Sequence, residues 1–272
     1  KIGGSAAALL NARSAADIVR AVQNAKEVSV PIFIMGNGSN LLVKDGGINA
    51  LIIRIGEAMS EIEQVDNVFC TGAGCLLASF AKETVSRGYM GLEWATGIPG
   101  SVGGAVAMNA GAYGGEIKQV LKSVVAVMDG RITELDVSDE DMGYRRSKFT
   151  APGCIVCSAK FILQPDDGLC KSRQAEYTKR RITKQPLNYP SAGSVFKRPP
   201  GQFAGALIEK AGLKGTRVGG AEVSELHANF IINRGGATAK DVIDLIELIK
   251  RRVYENSGAL LEPEMIIIGE DV

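Results

Sequence analysis

The sequence W-A-T-G-I-P-G-S-V-G-G-A-V-A-M-N-A-G-A-Y-G-G runs from Trp94 to Gly115 without a charged residue. It is long enough to cross a bilayer, but its seven glycines, its proline and its few large aliphatic side chains exclude a transmembrane helix. Ser101 can cap a short helix whose N-terminus faces a phosphate, and Gly103 and Gly104 would let that backbone approach a ligand closely. Close packing of a helix against a sheet explains the glycines equally well, so both interpretations stay open.

A second glycine-rich loop, G-N-G-S-N at residues 36–40, follows a predicted strand at residues 31–35. Consecutive exposed N–H groups in such a loop form a concave anion site, and Ser39 and Asn40 can add side-chain donors. The loop is not a dinucleotide-binding fingerprint, because Leu41 stands at the sixth position and no crossover helix is evident after it. The sequence also contains no P-loop motif. Two such loops favour a ligand with a diphosphate, which can be held from both ends.

Composition and charge narrow the class of protein. The chain has 272 residues, 46% hydrophobic and 22% charged, which is the balance of a globular protein, and its 33 glycines are an excess. The net charge of +1 gives no broad basic surface, so we expect no nucleic-acid partner and no membrane insertion. Five cysteines form no paired disulfide framework, which favours a reducing cytoplasm. Cys154 and Cys157 have redox-motif spacing but fall on a predicted strand, and with His227 as the single histidine we expect no metal site.

Hydrophobic periodicity and turn signals predict a mixture of helices and strands. A cap at Ser14 begins a helix that extends to about residue 26, and Asp129-Gly130 marks a β-hairpin. Further helices are predicted at residues 76–87, 168–182, 203–211 and 240–255, and strands at residues 51–55, 68–71, 123–128, 131–135, 154–163, 228–232 and 264–269. Pro186 and Pro190 are predicted to form a linker.

Polar clusters lie away from the glycine loops. G-Y-R-R-S-K-F at residues 143–149 is either a solvated turn or a clamp in which a guanidinium stabilises developing negative charge. Y-P-S-A-G-S-V-F-K-R at residues 189–198 places Ser191 and Ser194 among small residues. A serine nucleophile would need His227 as its base, and no nucleophile-elbow motif exists, so a serine that donates a proton fits better than a hydrolase. L-E-P-E ends in Glu264, which is either a general acid or an exposed carboxylate.

Taken in order, these motifs resemble one family. K-I-G-G, G-N-G-S-N-L-L-V, A-T-G-I-P-G-S-V-G-G, G-Y-R-x-S-x-F, P-S-A-G-S-V-F-K-R-P, H-A-N-F-I-I-N and L-E-P-E together resemble the UDP-N-acetylenolpyruvoylglucosamine reductases, the MurB family, over essentially the whole chain. The resemblance implies an α+β protein with a two-part FAD-binding fold of the vanillyl-alcohol-oxidase/PCMH type and a C-terminal α/β substrate-binding domain. It implies FAD-binding subdomains at residues 1–60 and 61–185, a substrate-binding domain at residues 186–260, and a C-terminal strand at residues 261–272 that returns to the FAD-binding part.

The same resemblance implies the reaction and its residues. The family comprises bacterial cytoplasmic flavoenzymes that reduce UDP-N-acetylglucosamine enolpyruvate to UDP-N-acetylmuramate for peptidoglycan synthesis, with NADPH as co-substrate. Hydride passes from FAD to the enolpyruvyl β-carbon. Ser194 matches the serine that protonates the α-carbon, and Arg145 and Glu264 match the residues that stabilise the enolate-like intermediate. We expect a monomer that acts on this small molecule.

Binding residues follow from the same motifs. The cofactor-binding candidates are the loop residues Gly36, Asn37, Gly38, Ser39, Asn40, Thr96, Gly97, Pro99, Gly100, Ser101, Gly104, Asn109, Gly111 and Ala112. The substrate-binding candidates are Tyr144, Lys184, Lys197, Arg198, His227 and Asn229. Neither loop contains a histidine, so the FAD is expected to be non-covalent. The chain is short between Cys154 and Tyr189, which resembles the compact subtype without a tyrosine-bearing lid loop.

Two alternative functions stay open. A flavin oxidase of the same fold would keep both glycine loops but would not need Arg145, Ser194 and Glu264 together. A nucleotide-binding regulatory domain would explain the glycine loops alone.

Overall fold

The computed structural model describes residues 2–272. Over this range the α-helices are α1 (Ala15–Glu27), α2 (Leu77–Ser86), α3 (Val102–Ala107), α4 (Cys170–Lys184), α5 (Ala204–Lys210) and α6 (Ala239–Ser257). The strands are β1 (Ala6–Ala12), β2 (Ile32–Met35), β3 (Leu41–Val43), β4 (Ile48–Ile55), β5 (Ile62–Val65), β6 (Val68–Gly72), β7 (Tyr89–Met90), β8 (Gly111–Ala112), β9 (Gly115–Glu116), β10 (Leu121–Met128), β11 (Arg131–Asp136), β12 (Met142–Gly143), β13 (Arg146–Ser147), β14 (Cys154–Ile162), β15 (Gln164–Pro165), β16 (Arg217–Val218), β17 (Ala221–Val223), β18 (Ile231–Asn233) and β19 (Ile266–Ile268).

The chain forms two compact units. Unit 1 contains residues 2–7, 39–49 and 181–272, and unit 2 contains residues 8–38 and 50–180. The division falls inside the first glycine loop and inside α4, between residues 180 and 181. The predicted boundaries at residues 60, 185 and 260 stay predictions.

Unit 2 is built on an antiparallel five-stranded sheet in the order β11-β10-β14-β6-β5. The predicted hairpin at Asp129-Gly130 is confirmed, since Met128 pairs with Arg131 and both turn residues have positive φ. This geometry matches the right-handed twist of the strands on either side. The core of the unit contains Phe80 and Phe161, which are fully buried with ring centroids 5.0 Å apart.

Unit 1 packs helices against short sheets. The sheet β16-β17-β18 is antiparallel, and β3 pairs in parallel with β19 near the C-terminus. The predicted apolar stripe on α6 is confirmed by its burial, at Val242, Leu245, Ile246, Ile249 and Val253. Thr238 caps this helix at its N-terminus, and Gly258 ends it at a φ of 70°.

Several sequence predictions need correction. Strand β1 was not predicted, because most of its side chains are exposed and A-A-A-L-L-N-A lacks the alternation of a half-buried strand. The strand predicted at residues 228–232 is the shorter β18, Ile231–Asn233. The predicted linker is not a free segment, because Pro186 is buried and the Pro190 carbonyl accepts a hydrogen bond from Asn233. Among residues 2–272, no helix is both long enough and apolar enough to cross a membrane.

Candidate active site

The two glycine-rich loops meet in unit 2. The Asn37 side-chain amide donates a hydrogen bond to the Pro99 carbonyl oxygen at 2.5 Å, which joins residues 62 positions apart. A Cβ on Gly36 would lie 2.2 Å from Ser101 Oγ, so a side chain here would displace the Ser101 hydroxyl. The sequence predicted both loops as ligand loops, and the structure brings Gly36, Asn37, Pro99 and Ser101 together.

The two glycines of helix α3, Gly103 and Gly104, have different surroundings. Ser101 is its N-cap and accepts a hydrogen bond from the Gly104 N–H at 3.4 Å, as predicted. A Cβ on Gly103 would lie 2.9 Å from the Ala73 Cβ, so this glycine serves close packing. Gly104 is exposed, and a Cβ there would meet only Ser101 Oγ, at 3.5 Å. One glycine therefore packs against the protein, and the other leaves its backbone exposed.

The exposed part of these loops fits a dinucleotide cofactor with a diphosphate. Asn37, Gly38, Gly97, Pro99 and Gly104 are all exposed. Gly38 and Gly97 have φ of 66° and 85°, which turns the backbone in the way that orients successive N–H groups toward an anion. A diphosphate needs N–H donors, and the exposed backbone of Gly38 and Gly97 can supply them.

Other predicted cofactor residues are placed behind this exposed surface. Thr96 is buried, and its hydroxyl accepts a hydrogen bond from the Gln174 side chain at 3.0 Å. Asn109 is fully buried, and its side-chain amide donates to the Gly143 carbonyl at 3.0 Å and to Glu116 at 3.1 Å. This placement favours a structural role for Asn109 over the predicted contact with the cofactor. Gly100, Gly111 and Ala112 are half-buried.

Arg145 lies at the tip of a tight hairpin in unit 2. Tyr144 and Arg145 form the two-residue connection between β12 and β13, and Arg145 has a φ of 55°, which is uncommon for a residue with a side chain. Its guanidinium donates to the Gly111 carbonyl at 3.1 Å and lies 4.9 Å from the centre of the Tyr144 ring. The planar guanidinium is thus oriented by contacts on two sides, and Tyr144 is exposed beside it.

The structure brings the Ser194 and Glu264 segments together within unit 1. The Glu264 backbone N–H donates to the Val195 carbonyl at 2.7 Å, and Ser194 forms a bridge with Phe230 on its other side. Both predicted catalytic residues are half-buried. The chain around Ser194 is therefore bonded by its backbone to the 229–230 segment and to the 262–264 segment, which fixes its backbone direction.

Asn229, a predicted substrate-binding residue, has its side chain bonded to the backbone of Phe196. Its side chain accepts from the Phe196 N–H at 3.0 Å and donates to the Phe196 carbonyl at 2.9 Å, so both polar groups are bound to backbone. Asn229 is buried and holds the segment that carries Ser194. His227 is placed beside it, with its Nδ1 accepting from the Asn229 N–H at 3.2 Å. Burial lowers the pKa of His227, which favours the neutral imidazole near neutral pH.

The predicted cationic substrate residues all lie in unit 1. Lys184 is exposed at the end of α4, and Lys197 forms an ion pair with Glu262. The Arg198 guanidinium lies 4.5 Å from the centre of the Phe203 ring. Two residues of the first loop also belong to this unit: Ser39 is half-buried, and the Asn40 amide donates to the Glu264 carbonyl at 3.0 Å.

The cysteine pair is placed as predicted on a strand. Cys154 and Cys157 belong to β14, and both thiols are free. Burial raises the pKa of Cys157 to about 11 and also raises the pKa of Cys154. Thiols that stay protonated at neutral pH are poor nucleophiles, so this pair is structural.

Sequence reasoning missed two residues that support Arg145. The Ser147 hydroxyl donates to the Ala107 carbonyl at 2.7 Å, and Glu116 accepts from Asn109. Ser147 stands in the quoted motif G-Y-R-x-S-x-F, which was the available signal. Glu116 offered none, because its partner Asn109 lies on a different element and the pairing exists only in the fold.

Comparison with known proteins places the chain in a family. The model of the UDP-N-acetylenolpyruvoylglucosamine reductase C-terminal domain, MurB_C, matches residues 185–268, and the model of an FAD binding domain matches residues 6–136. The chain is 46% identical over 273 residues to UDP-N-acetylenolpyruvoylglucosamine reductase of Alkaliphilus oremlandii, covering 100% of this chain and 90% of the relative. The chain belongs to the MurB family.

Further relatives agree with this assignment. The reductase of Rubrobacter xylanophilus is 46% identical, with 99% of this chain and 91% of the relative covered. The crystal structure of MurB from Thermus caldophilus has a TM-score of 0.82 and 38% identity, and covers 95% of this chain and 91% of that chain. These matches confirm four predictions: the α+β FAD-binding fold, the FAD cofactor, the oxidoreductase class and the MurB reductase function in peptidoglycan synthesis.

Proposed function

We propose that this chain reduces UDP-N-acetylglucosamine enolpyruvate to UDP-N-acetylmuramate with NADPH as electron donor, as a monomer in the bacterial cytoplasm. The reductase relatives, matched over the whole chain, support the substrate. The free cysteines support a reducing compartment.

The reaction adds a hydride to the β-carbon of the enolpyruvyl double bond and a proton to its α-carbon, while NADPH becomes NADP⁺. FAD, held by the two glycine-rich loops, would supply the hydride-transfer chemistry that couples oxidation of NADPH to reduction of the double bond. The chain itself must bind the phosphate groups, stabilise the negative charge that develops on the enolpyruvyl carboxylate, and deliver one proton.

Arg145 stabilises the developing charge. A guanidinium is permanently cationic and can hold a carboxylate through two parallel hydrogen bonds, which an ammonium cannot do. The contact of Arg145 with the Gly111 carbonyl supports this role, because it orients the guanidinium before substrate binds. Orientation in advance removes a cost that would otherwise fall on the transition state.

Ser194 donates the proton, and Glu264 stabilises the intermediate beside it. The observation that carries this proposal is the 2.7 Å hydrogen bond from the Glu264 N–H to the Val195 carbonyl. It makes the residue after Ser194 a backbone partner of Glu264, although the two are far apart in sequence. A serine hydroxyl can deliver a proton without a histidine partner, which a serine nucleophile would need.

The substrate diphosphate needs cations and polar groups. Lys184, Lys197 and Arg198 supply positive charge, and Tyr144 and His227 supply polar contacts. The neutral imidazole favoured by burial of His227 can donate or accept a hydrogen bond without adding charge. Asn229 is left out of this set, because its polar groups are bound to the Phe196 backbone.

The test is an anaerobic visible spectrum of the purified protein. A stoichiometric amount of NADPH should bleach the flavin bands, and UDP-N-acetylglucosamine enolpyruvate should restore them without oxygen. If the bands return only when air enters, the chain is an oxidase of the same fold and the proposed acceptor is wrong.

A further inference from the structure

The hairpin that carries Arg145 is attached to the end of α3 by two side chains. Ser147 Oγ donates to the carbonyl of Ala107, the last residue of α3, at 2.7 Å. The Asn109 amide donates to the carbonyl of Gly143 at 3.0 Å. One attachment precedes the Tyr144-Arg145 turn and the other follows it, so both strands of the hairpin are held.

The Asn109 side chain is buried and bonded at both its oxygen and its amide nitrogen. It is fully buried, and its Oδ1 accepts from the Lys118 N–H at 3.0 Å while its amide donates to Gly143 and Glu116. Its backbone φ of 41° is one that asparagine tolerates better than most residues. A buried amide with all its groups bonded is rigid, and removing it leaves buried partners unsatisfied.

The hairpin also donates a hydrogen bond to the segment that follows α3. The Arg145 guanidinium donates to the carbonyl of Gly111, which lies two residues after Asn109. The segment from Asn109 to Gly111 therefore contacts the hairpin twice, at the Gly143 backbone before the turn and at the guanidinium itself. The same short segment therefore bonds the backbone two residues before Arg145 and the charged group of Arg145 itself.

We propose that Asn109 and Ser147 are positioning residues for Arg145, which set the place of its guanidinium through the Gly143 carbonyl and the end of α3. This inference rests on the proposed role of Arg145. It replaces the cofactor contact predicted for Asn109 from sequence. The reaction has two halves, reduction of the flavin by NADPH and reoxidation of the flavin by the substrate. The inference gives Asn109, the last residue of A-V-A-M-N at residues 105–109, a role in the second half rather than in flavin binding.

The principal variant is Asn109→Gly, because glycine keeps the positive φ without strain and removes the amide. NADPH-driven flavin reduction and the ratio of flavin to protein absorbance should stay at the parent values. Anaerobic reoxidation by UDP-N-acetylglucosamine enolpyruvate should slow about 10- to 100-fold, the cost of misplacing a group by about 1 Å. If flavin content falls, or both half-reactions slow equally, Asn109 contacts the cofactor or only stabilises the fold, and the inference is wrong.

A double-mutant cycle tests whether the effect passes through Arg145. In an Arg145→Lys background, Asn109→Gly should slow reoxidation by much less than it does alone, because the group that it positions is already lost. Equal effects in both backgrounds would contradict the inference. If Arg145→Lys alone reoxidises at the parent rate, the proposed role of Arg145 fails instead, which separates the two ideas.

Ser147→Ala and Ser123→Ala form a matched pair. Ser147→Ala removes the second attachment and should also slow reoxidation with flavin reduction unchanged. Ser123 is buried in the same unit and donates to Glu134 at 2.9 Å, so Ser123→Ala loses a buried hydroxyl away from the hairpin. Ser123→Ala should leave both half-reactions at the parent rate. A loss in Ser123→Ala equal to that in Ser147→Ala would show a general stability effect and overturn the positioning role.

Discussion

The Asn40 side chain is bonded to the Glu264 backbone, and the Asn40 backbone is bonded to Ile266, two residues further on. The Asn40 amide donates to the Glu264 carbonyl at 3.0 Å, and the Asn40 carbonyl accepts from the Ile266 N–H at 3.0 Å. Asn40, the last residue of the first glycine loop, therefore fixes the backbone at Glu264 and Ile266. The same glutamate is bonded on its N–H side to Val195.

Asn40→Ala should weaken this attachment. We expect the free energy of unfolding to fall by about 1 kcal/mol, because a half-buried carbonyl loses its donor. Flavin reoxidation by the enolpyruvyl substrate should slow more than flavin reduction by NADPH. Denaturant unfolding and stopped-flow absorbance measure the two effects. Gln64→Ala, which removes two exposed hydrogen bonds, one to the Asp66 carbonyl and one from the Arg87 guanidinium, is the control and should change neither.

Ser194→Ala should separate the two half-reactions. Flavin reduction by NADPH should be nearly unchanged, and reoxidation should slow by about 100-fold or more, because the proton donor to the α-carbon is lost. Ser191→Ala, an exposed serine in the same loop, should behave like the parent. An equal loss in both half-reactions would mean that Ser194 supports the fold and not the chemistry.

Arg145→Lys should slow reoxidation by about 100-fold, because an ammonium cannot reproduce the bidentate contact of a guanidinium with a carboxylate. The neighbouring Arg146 is exposed, so Arg146→Lys is the matched control and should retain parent activity. Single-turnover measurements with reduced enzyme report the step directly. Full activity in Arg145→Lys would remove Arg145 from the mechanism.

Gly36→Ala should lower the flavin content of the purified protein. The new Cβ would lie 2.2 Å from Ser101 Oγ, which would displace the cap of α3 and separate the two loops. Gly56→Ala is a suitable control, because its φ is −133° and the nearest atom to the new Cβ lies 3.8 Å away. Flavin absorbance relative to protein absorbance measures the outcome. Normal flavin content in Gly36→Ala would show that this close approach is not needed for binding.

Asp241→Asn should remove a pH-dependent part of stability. Hydrogen bonds from the Thr238 and Gly220 N–H groups lower the pKa of the Asp241 carboxyl. Its stabilisation is therefore complete above the unfolded value of about 3.9 and is lost as the pH falls through the lower folded value. We expect a deficit of about 1 kcal/mol near neutral pH that shrinks below about pH 4.

Unfolding curves across this pH range test the sign of the Asp241 effect. Asp244→Asn is the control, because Asp244 is a more exposed carboxylate on the same helix that pairs with Lys240. Its variant should lose little stability at any pH, since exposed pairs on a helix contribute a few tenths of a kcal/mol. A deficit in Asp241→Asn that grows toward low pH would contradict the assignment.

Local signals in the sequence identified much of the fold. The capped start of α1, the Asp129-Gly130 hairpin and the apolar stripe of α6 are encoded by near neighbours, so periodicity and turn chemistry predict them. Strand β1 gave no such signal, because its exposed, alanine-rich sequence is held by pairing with β4 rather than by burial. The partners of side-chain amides were also beyond local signals, since one asparagine can bind a cofactor or a distant carbonyl equally well.

The sequence alone determined the family, the FAD cofactor and the identity of the candidate catalytic residues, because the ordered motifs specify which residue types stand where. Only the tertiary structure decided the side-chain partners of Asn40, Asn109 and Asn229. Each is placed in a motif that the sequence assigns to ligand binding, yet each donates a side-chain hydrogen bond to a distant backbone carbonyl. Half-buried and buried amides must find partners, and the nearest partner is set by folding rather than by the motif.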